Sequence, residues 1–339
     1  MDYSDIPFWA SLALIVGGLV ALAWSSDKFI DGAASLARAF GVSPFIVGMV
    51  IIGFGTSAPE LCVSVMSGSC GHANLSLGNA YGSCSFNIAA ILGVAAIIHP
   101  LVMRPVSTFV SSLGLFAITA FSFFILFDGN CTRYDAAVLL LMFAVIMFLY
   151  CKFDRGGAEK PENGGQCTSG KPRVFAAAIS AIVGLSVLIG SSHLLVWGSV
   201  DLARFLGVSD LMIGITIIAV GTSLPELASA IAAARRKENE FVLGNIIGSN
   251  IFNTLAVVGL ATLIGPIDPA APDSSTFSRY IISRDLPVMM ALSLSIMFFG
   301  LNWRKLRENG RIGAIKGLAW ILIYAIYTAI TVVQEGKTP

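Results

Sequence analysis

Glu60 and Glu226 have the most chemistry to offer, because each interrupts a long apolar run and each closes the same pattern, GTSAPE at 55–60 and GTSLPE at 221–226. At the centre of a membrane-spanning helix an ionised carboxylate costs ~2.5–3.5 kcal/mol or more. No Lys or Arg stands at a comparable depth in either run, so a bound cation or a proton is left to neutralise them. The proline before each glutamate lacks an N–H. It therefore frees the carbonyl four residues back, that of Gly55 or Gly221, while kinking the helix. Each segment then offers carbonyls, the hydroxyls of Thr56, Ser57, Thr222 and Ser223, and one carboxylate. All are oxygen donors.

A second pair of segments, GNAYGSCSFN at 78–87 and GNIIGSNIFN at 244–253, again embeds polar residues in apolar runs. Ser83, Asn87, Ser249 and Asn253 extend the oxygen set, whereas the glycines read chiefly as helix-packing positions. Such a set suits a hard cation: calcium takes about 6–8 oxygen ligands at flexible distances, and sodium accepts similar donors. Two carboxylates balance one divalent ion or two monovalent ones. Competition for that pair gives antiport without an energy-consuming domain. The chain has no GxxxxGK[ST] phosphate loop and no HExxH pair, which argues against a primary pump and against an enzyme. An open cation channel is likewise disfavoured. No cofactor is expected; the small partners are the transported ions, with calcium foremost and sodium or protons as alternative counter-ions.

The elements that must position these residues follow from composition. The chain is 56% hydrophobic and 12% charged, with a mean hydropathy of +0.82, so its main solvent is lipid. A net charge of +1 with no separate basic domain gives no sign of a nucleic-acid partner, and no segment calls for an obligate protein partner. A crossing helix needs about 20 apolar residues. Ten such stretches occur, at 8–25, 44–69, 75–99, 106–127, 134–151, 174–195, 209–233, 241–264, 286–303 and 313–333. Asp2 and Asp5 precede the first, unlike the basic start of a secretory signal, so that span is expected to be retained. The Gly-, Lys- and Glu-rich stretch from Lys152 to Arg173 divides the spans five and five and reads as a flexible linker.

The halves repeat at a constant shift of 166 residues, which pairs Glu60 with Glu226, Gly41-Val42-Ser43 with Gly207-Val208-Ser209, Asn79 with Asn245 and Asn87 with Asn253. Five spans per copy force the second to enter the membrane from the opposite side. Loop charges agree: with the N-terminus outside, 16 of the 21 basic residues, among them Lys28, Arg38, Arg104, Arg235-Arg236-Lys237 and the group from Arg304 to Lys316, fall inside. The expected fold is an all-α integral membrane protein of ten transmembrane helices, two inverted-topology five-helix repeats with broken helices at the midplane. Its parts are a first repeat at 1–151, a cytoplasmic linker at 152–173 and a second repeat at 174–339, in the cell (inner) membrane with both termini on the outer face.

The other polar features read as bland. The six cysteines show no CxxC pair and are taken as buried or incidental thiols, with Cys131 in an outer connection and Cys167 in an inner one. His72, His99 and His193 are placed near span ends. Arg235-Arg236-Lys237 reads as a topology anchor, and Asp27, Asp31, Asp201 and Asp210 as solvated flanks.

The paired GTSxPE and GNxxGS segments resemble the two alpha repeats of the sodium/calcium exchanger family, within the calcium/cation antiporters, and the ten-span length resembles its compact prokaryotic members. That resemblance implies alternating access. It implies calcium held by Thr56, Glu60, Thr222 and Glu226, and sodium sites shared with Ser57, Ser83, Asn87, Ser223, Ser249 and Asn253. Two positions depart from the pattern: Cys84 stands where the second repeat has Asn250 and the family usually has Asn, and position 253 is Asn where the potassium-dependent branch places Asp. The second departure points to transport without potassium.

Overall fold

A computed structural model describes residues 7–69, 73–153, 171–206, 219–266 and 280–335. Cys70, His72, Cys167, Asp210, the Gly207-Val208-Ser209 match and most of the linker lie outside these residues.

The described residues are helical almost throughout. Helix α1 (Phe8–Phe40) is followed by a bent pair. Its first arm α2 starts at Pro44–Val47 and continues through a π-helical turn at Gly48–Gly53 and Phe54–Thr56; the second arm is α3 (Ala58–Ser69). Helix α4 (Ala73–Phe86) runs on through a π turn at Asn87–Ile91 and Leu92–Ile98. After a short strand β1 (Leu101–Met103) come α5 (Pro105–Leu126) and α6 (Arg133–Phe153). The second half holds α7 (Lys171–Phe205), α8 (Ala219–Thr222) and α9 (Leu224–Arg235). Helix α10 (Asn239–Ile251) is prolonged by a π turn at Phe252–Val257 and by Val258–Ile264. Next is α11, a π turn at Ile281–Asp285 leading into Leu286–Gly300, then β2 (Gly310–Ile312) and α12 (Ala314–Glu335). Among the described residues eight helices are long and apolar enough to cross a membrane, or nine with the bent α2–α3 pair taken as one span.

Two helices exceed their expected lengths. At ~1.5 Å per residue the 33 residues of α1 reach ~50 Å, more than the ~40–45 Å of a bilayer with its headgroups. Lys28 and Arg38, expected in a loop, therefore lie on α1. The helix continues past Asp27 because Phe29, Ile30, Ala33, Ala34 and Ala37 still bury a face. It stops at Gly41, whose left-handed φ of 61° lets its N–H bond Ala37 O. Helix α7 likewise extends to Phe205 rather than residue 195. The two pack backbone to backbone: a Cβ on Gly32 would fall 2.5 Å from Ala181 N, and one on Gly184 2.5 Å from Phe29 N. Ser180 Oγ donates to Lys28 O at 3.0 Å.

The centre of the molecule is α4 and α10, whose spanning windows are 72% and 89% buried, so their polar residues face protein rather than lipid. Glycine packing is confirmed on α10, where a Cβ on Gly244 or Gly248 would stand 2.3 Å from Phe45 O or Met49 O of α2; Gly82 on α4 has nothing within 4 Å.

Several expectations need correction. Asp201 is buried, not solvated, and accepts the Ser11 hydroxyl at 2.5 Å, an inter-helix bond that sequence spacing does not reveal. Asp27 and Asp31 are partners of Arg236, so the basic cluster ties α9 to α1 instead of only marking topology. Arg284 is not in a loop. It lies in the first turn of α11 with its side chain 10% exposed and bonds Asp285 at 2.6 Å, while Tyr327 also donates to Asp285. Cys131 is buried, so it is no reporter for an outer surface. The strands were not expected: Leu101↔Ile312 and Met103↔Gly310 pair antiparallel, and three-residue strands carry too little periodicity to read.

Candidate functional site

The two GTSxPE segments break at their serines. Ser57, with φ −80° and ψ 8°, separates α2 from α3, and those arms bend by 46°. Ser223, with φ −92° and ψ 10°, precedes α9 and makes no side-chain cap bond. Each hydroxyl instead crosses to the other half: Ser57 Oγ donates to Glu226 Oε1 at 2.8 Å and Ser223 Oγ to Glu60 Oε1 at 2.7 Å. Each glutamate sits in the first turn of its helix, where the positive end of the helix dipole favours negative charge. The carbonyl that Pro225 frees on Gly221 takes the Ser192 hydroxyl at 3.0 Å.

An asparagine layer repeats the reciprocity. Asn79 Nδ2 donates to Glu60 O at 3.1 Å while its Oδ1 accepts from Thr222 at 3.4 Å. In the other half Asn245 Nδ2 donates to Glu226 O at 3.4 Å and its Oδ1 accepts from Thr56 at 3.3 Å. These two asparagines orient both the glutamate helices and the threonines. Sequence reasoning noted Asn79 and Asn245 only as a repeat match; their shared 166-residue shift was the signal that could have marked them.

All ten residues singled out in sequence are buried: Thr56, Ser57, Glu60, Ser83, Asn87, Thr222, Ser223, Glu226, Ser249 and Asn253. Ser249 Oγ donates to Gly53 O at 3.2 Å, and Asn87 Nδ2 to Asn250 Oδ1 at 3.2 Å. Several atoms are left without hydrogen-bond partners: Oε2 of both glutamates, Oδ1 of Asn87, Oδ1 and Nδ2 of Asn253, and Oγ of Ser83. Buried polar atoms nearly always have partners, and orphan oxygens on both glutamates, Asn87, Asn253 and Ser83 are donors of the kind a hard cation would satisfy. No group of three or more His, Cys, Asp or Glu occurs among the described residues.

Cys84 breaks the pseudo-symmetry. Asn250 orients Asn87, and the equivalent pair in the other half is Cys84 with Asn253. The thiol makes long contacts to Asn250 O and Thr254 Oγ1, both at 3.7 Å. Neither amide atom of Asn253 has a hydrogen-bond partner of normal geometry.

A buried oxygen-lined site between two halves of a helical membrane protein is the equipment of an ion carrier. Comparison with known proteins agrees: the family described as sodium/calcium exchanger protein matches residues 10–152 and 176–333. The inner membrane protein YrbG of Escherichia coli (strain K12) is 36% identical, over 88% of this chain and 90% of its own. The sodium/calcium exchanger MaX1 of Methanosarcina acetivorans is 29% identical, over 91% of this chain and 97% of its own. Among solved structures, the sodium-calcium exchanger NCX_Mj soaked with Na+ and Sr2+ superposes with a TM-score of 0.79 at 30% identity, covering 95% of this chain and 99% of that one. The chain belongs to the sodium/calcium exchanger family. It is an integral membrane cation antiporter of that family, not an enzyme.

Proposed function

We propose that this protein exchanges calcium for sodium by alternating access at the site between α2–α3, α4, α8–α9 and α10. The carrying observation is the pair of reciprocal serine–glutamate bonds, which fix one oxygen of each carboxylate and leave Glu60 Oε2 and Glu226 Oε2 buried and unbonded. Two such charges balance one calcium or two sodium ions. In this reading Thr56, Glu60, Thr222 and Glu226 hold calcium, and Ser57, Ser83, Asn87, Ser223, Ser249 and Asn253 complete the sodium sites. The Na+ and Sr2+ soaked into crystals of NCX_Mj support these ion classes, strontium being a hard divalent cation like calcium. Asn253 supplies a neutral oxygen, so transport does not require potassium.

The same reading takes the chain as ten spans in two inverted repeats, 1–151 and 174–339, joined by a cytoplasmic linker at 152–173. It lies in the cell (inner) membrane with both termini on the outer face. The cross-half exchange of hydrogen bonds supports the two-fold repeat, because Ser57, Thr56 and Asn245 serve one glutamate as Ser223, Thr222 and Asn79 serve the other.

Calcium uptake into proteoliposomes under an imposed sodium gradient and, separately, a proton gradient tests the coupling. Uptake is expected with sodium alone. Uptake driven only by protons would make the protein a calcium/proton antiporter instead. Glu60→Gln or Glu226→Gln removes one of two charges while nearly preserving shape, so the fold should survive and calcium binding should collapse. A well-folded Gln variant exchanging calcium at the wild-type rate would remove that residue from the mechanism.

A further inference from the structure

Away from the glutamates, three cavities join end to end along α5. A polar chamber of about 410 Å³ lies between the β1–α5 corner and the start of α10, lined among others by Arg104, Thr108, Lys237, Glu238, Asn239 and Glu240. Through Phe45, Arg104, Ser111 and Asn309 it opens into a groove of about 820 Å³ between α5 and α6. Through Gly114, Ile146 and Tyr150 that groove continues into a further 340 Å³ bounded by Ile118, Phe121 and Met142. The groove is mainly apolar, its extension almost wholly so, and together they follow α5 from Val106 to Phe121. Fifteen residues of helix span ~22 Å, somewhat more than the ~15 Å of one leaflet's hydrocarbon. The feature is long enough for an acyl chain. Gly114 lines its middle, and a Cβ there would meet only Tyr150 Oη, at 3.6 Å, an ordinary contact.

The chamber at its end is unlike an ordinary lipid-facing surface. Thr108 is 4% exposed and its Oγ1 has no partner, nor does the buried Oδ1 of Asn239. At ~30 Å³ per water the space greatly exceeds what one bridging water would fill. Both signs of charge line it: Arg104 and Lys237 on one hand, Glu238 and Glu240 on the other, with Arg104 and Glu240 paired at 3.2 Å. The N-terminus of α10 also opens here, which favours an anionic group.

We infer that this chamber and groove form a binding site for one phospholipid with a zwitterionic, ammonium-bearing headgroup of the phosphatidylethanolamine type. Its phosphate accepts from the Thr108 hydroxyl, Arg104 and Lys237. Its ammonium donates to Asn239 Oδ1 and Glu238. A choline headgroup has no N–H to give Asn239, and a glycerol headgroup brings no cation to the glutamates. The acyl chain lies against Val110, Gly114, Ile118 and Ile146. The leaflet is the one at the basic end of the molecule, and the site is independent of which ions the protein exchanges.

The test is native mass spectrometry of the purified full-length protein, equilibrated with equal amounts of phosphatidylethanolamine, phosphatidylglycerol and phosphatidylcholine of identical acyl chains. One phosphatidylethanolamine should be retained at least fivefold over either competitor. Gly114→Phe, which fills the groove, should abolish that retention, and Thr108→Val with Asn239→Leu should erase the headgroup preference. Equal retention of the three lipids by the wild type overturns the assignment. So does a phosphatidylethanolamine adduct that survives unchanged in Gly114→Phe, or, should that variant not fold, an unchanged preference in the Thr108→Val/Asn239→Leu protein.

Discussion

Replacing Cys84 by asparagine tests how the structure orients its ligands. In the second half Asn250 Oδ1 holds Asn87 Nδ2 at 3.2 Å; in the first half the thiol of Cys84 offers nothing comparable, and Asn253 is unbonded on both amide atoms. Cys84→Asn supplies the missing acceptor. A neutral hydrogen bond contributes ~1 kcal/mol net, but the new amide also brings an NH2 that stays buried, costing ~1–3 kcal/mol, as Nδ2 of Asn250 does now. Overpacking of the larger side chain adds a further cost of ~1–3 kcal/mol. Stability should therefore fall modestly. Affinity should rise, because an Asn253 already held in place no longer has to be ordered by the ion. Immobilising one side chain costs ~0.5–1.5 kcal/mol, which at ~1.4 kcal/mol per tenfold corresponds to about 2- to 12-fold tighter binding. Equilibrium binding of radiolabelled sodium and calcium to purified protein measures this, with thermal unfolding recorded alongside. A folded Cys84→Asn protein with unaltered affinity for both ions refutes the argument that position 84 governs Asn253.

Four other outcomes are expected. Ser57→Ala and Ser223→Ala each remove a hydrogen bond to a carboxylate, worth ~1.5–3 kcal/mol, and should weaken ion binding about tenfold or more and to a similar extent; a large effect at only one would contradict their reciprocal roles. Ser192→Ala strands the buried Gly221 carbonyl and should lower stability by ~1–3 kcal/mol in thermal unfolding, whereas an unchanged midpoint would show that another group satisfies it. Gly32→Leu should prevent α1 and α7 from packing, since even a Cβ meets backbone at 2.5 Å, while Gly17→Ala, with nothing within 4 Å, should be neutral in expression and stability; equal behaviour would undo the close-packing account. A cysteine placed at Lys305, whose side chain is 66% exposed, should resist an impermeant thiol reagent in sealed right-side-out vesicles and react once they are opened, and ready labelling in sealed vesicles would reverse the proposed orientation.

Spacing made much of this legible. A carboxylate, a proline and two hydroxyls recurring at a shift of 166 marked the broken helices and six of the buried candidates, and the polar residues of the paired GNxxGS segments marked the other four. What spacing did not reveal is which side chain meets which. Ser57 lies three residues from Glu60 and on the same bent helix, yet it serves Glu226, because its place at the break turns the hydroxyl across the interface rather than along its own helix. The lengths of α1 and α7 were underestimated for a different reason. Apolar counting stops at Asp27, but helix continues wherever a face is buried, and Asp27 and Asp31 are tolerated there because Arg236 answers them. The burial of Asp201 and Cys131 likewise depends on contacts with distant parts of the chain.

The cross-half bonds also bear on why exchange should be coupled rather than leaky. Each carboxylate is held by its own helix dipole and by a serine from the opposite half, so neither half contains a finished site and any relative movement disturbs both glutamates together. With an ion bound, two negative charges are neutralised while the halves rearrange. Without an ion or a proton on them, passage through an occluded state would carry two charged groups at up to ~2.5–3.5 kcal/mol each, before the serine bonds and helix dipoles offset part of it. The sum approaches ~5–7 kcal/mol, and at ~1.4 kcal/mol per tenfold the empty transition would be slower by up to about 10³- to 10⁵-fold. Under the proposed alternating-access reading, burial of Glu60 and Glu226 among neutral oxygens would let the ion itself license the conformational change.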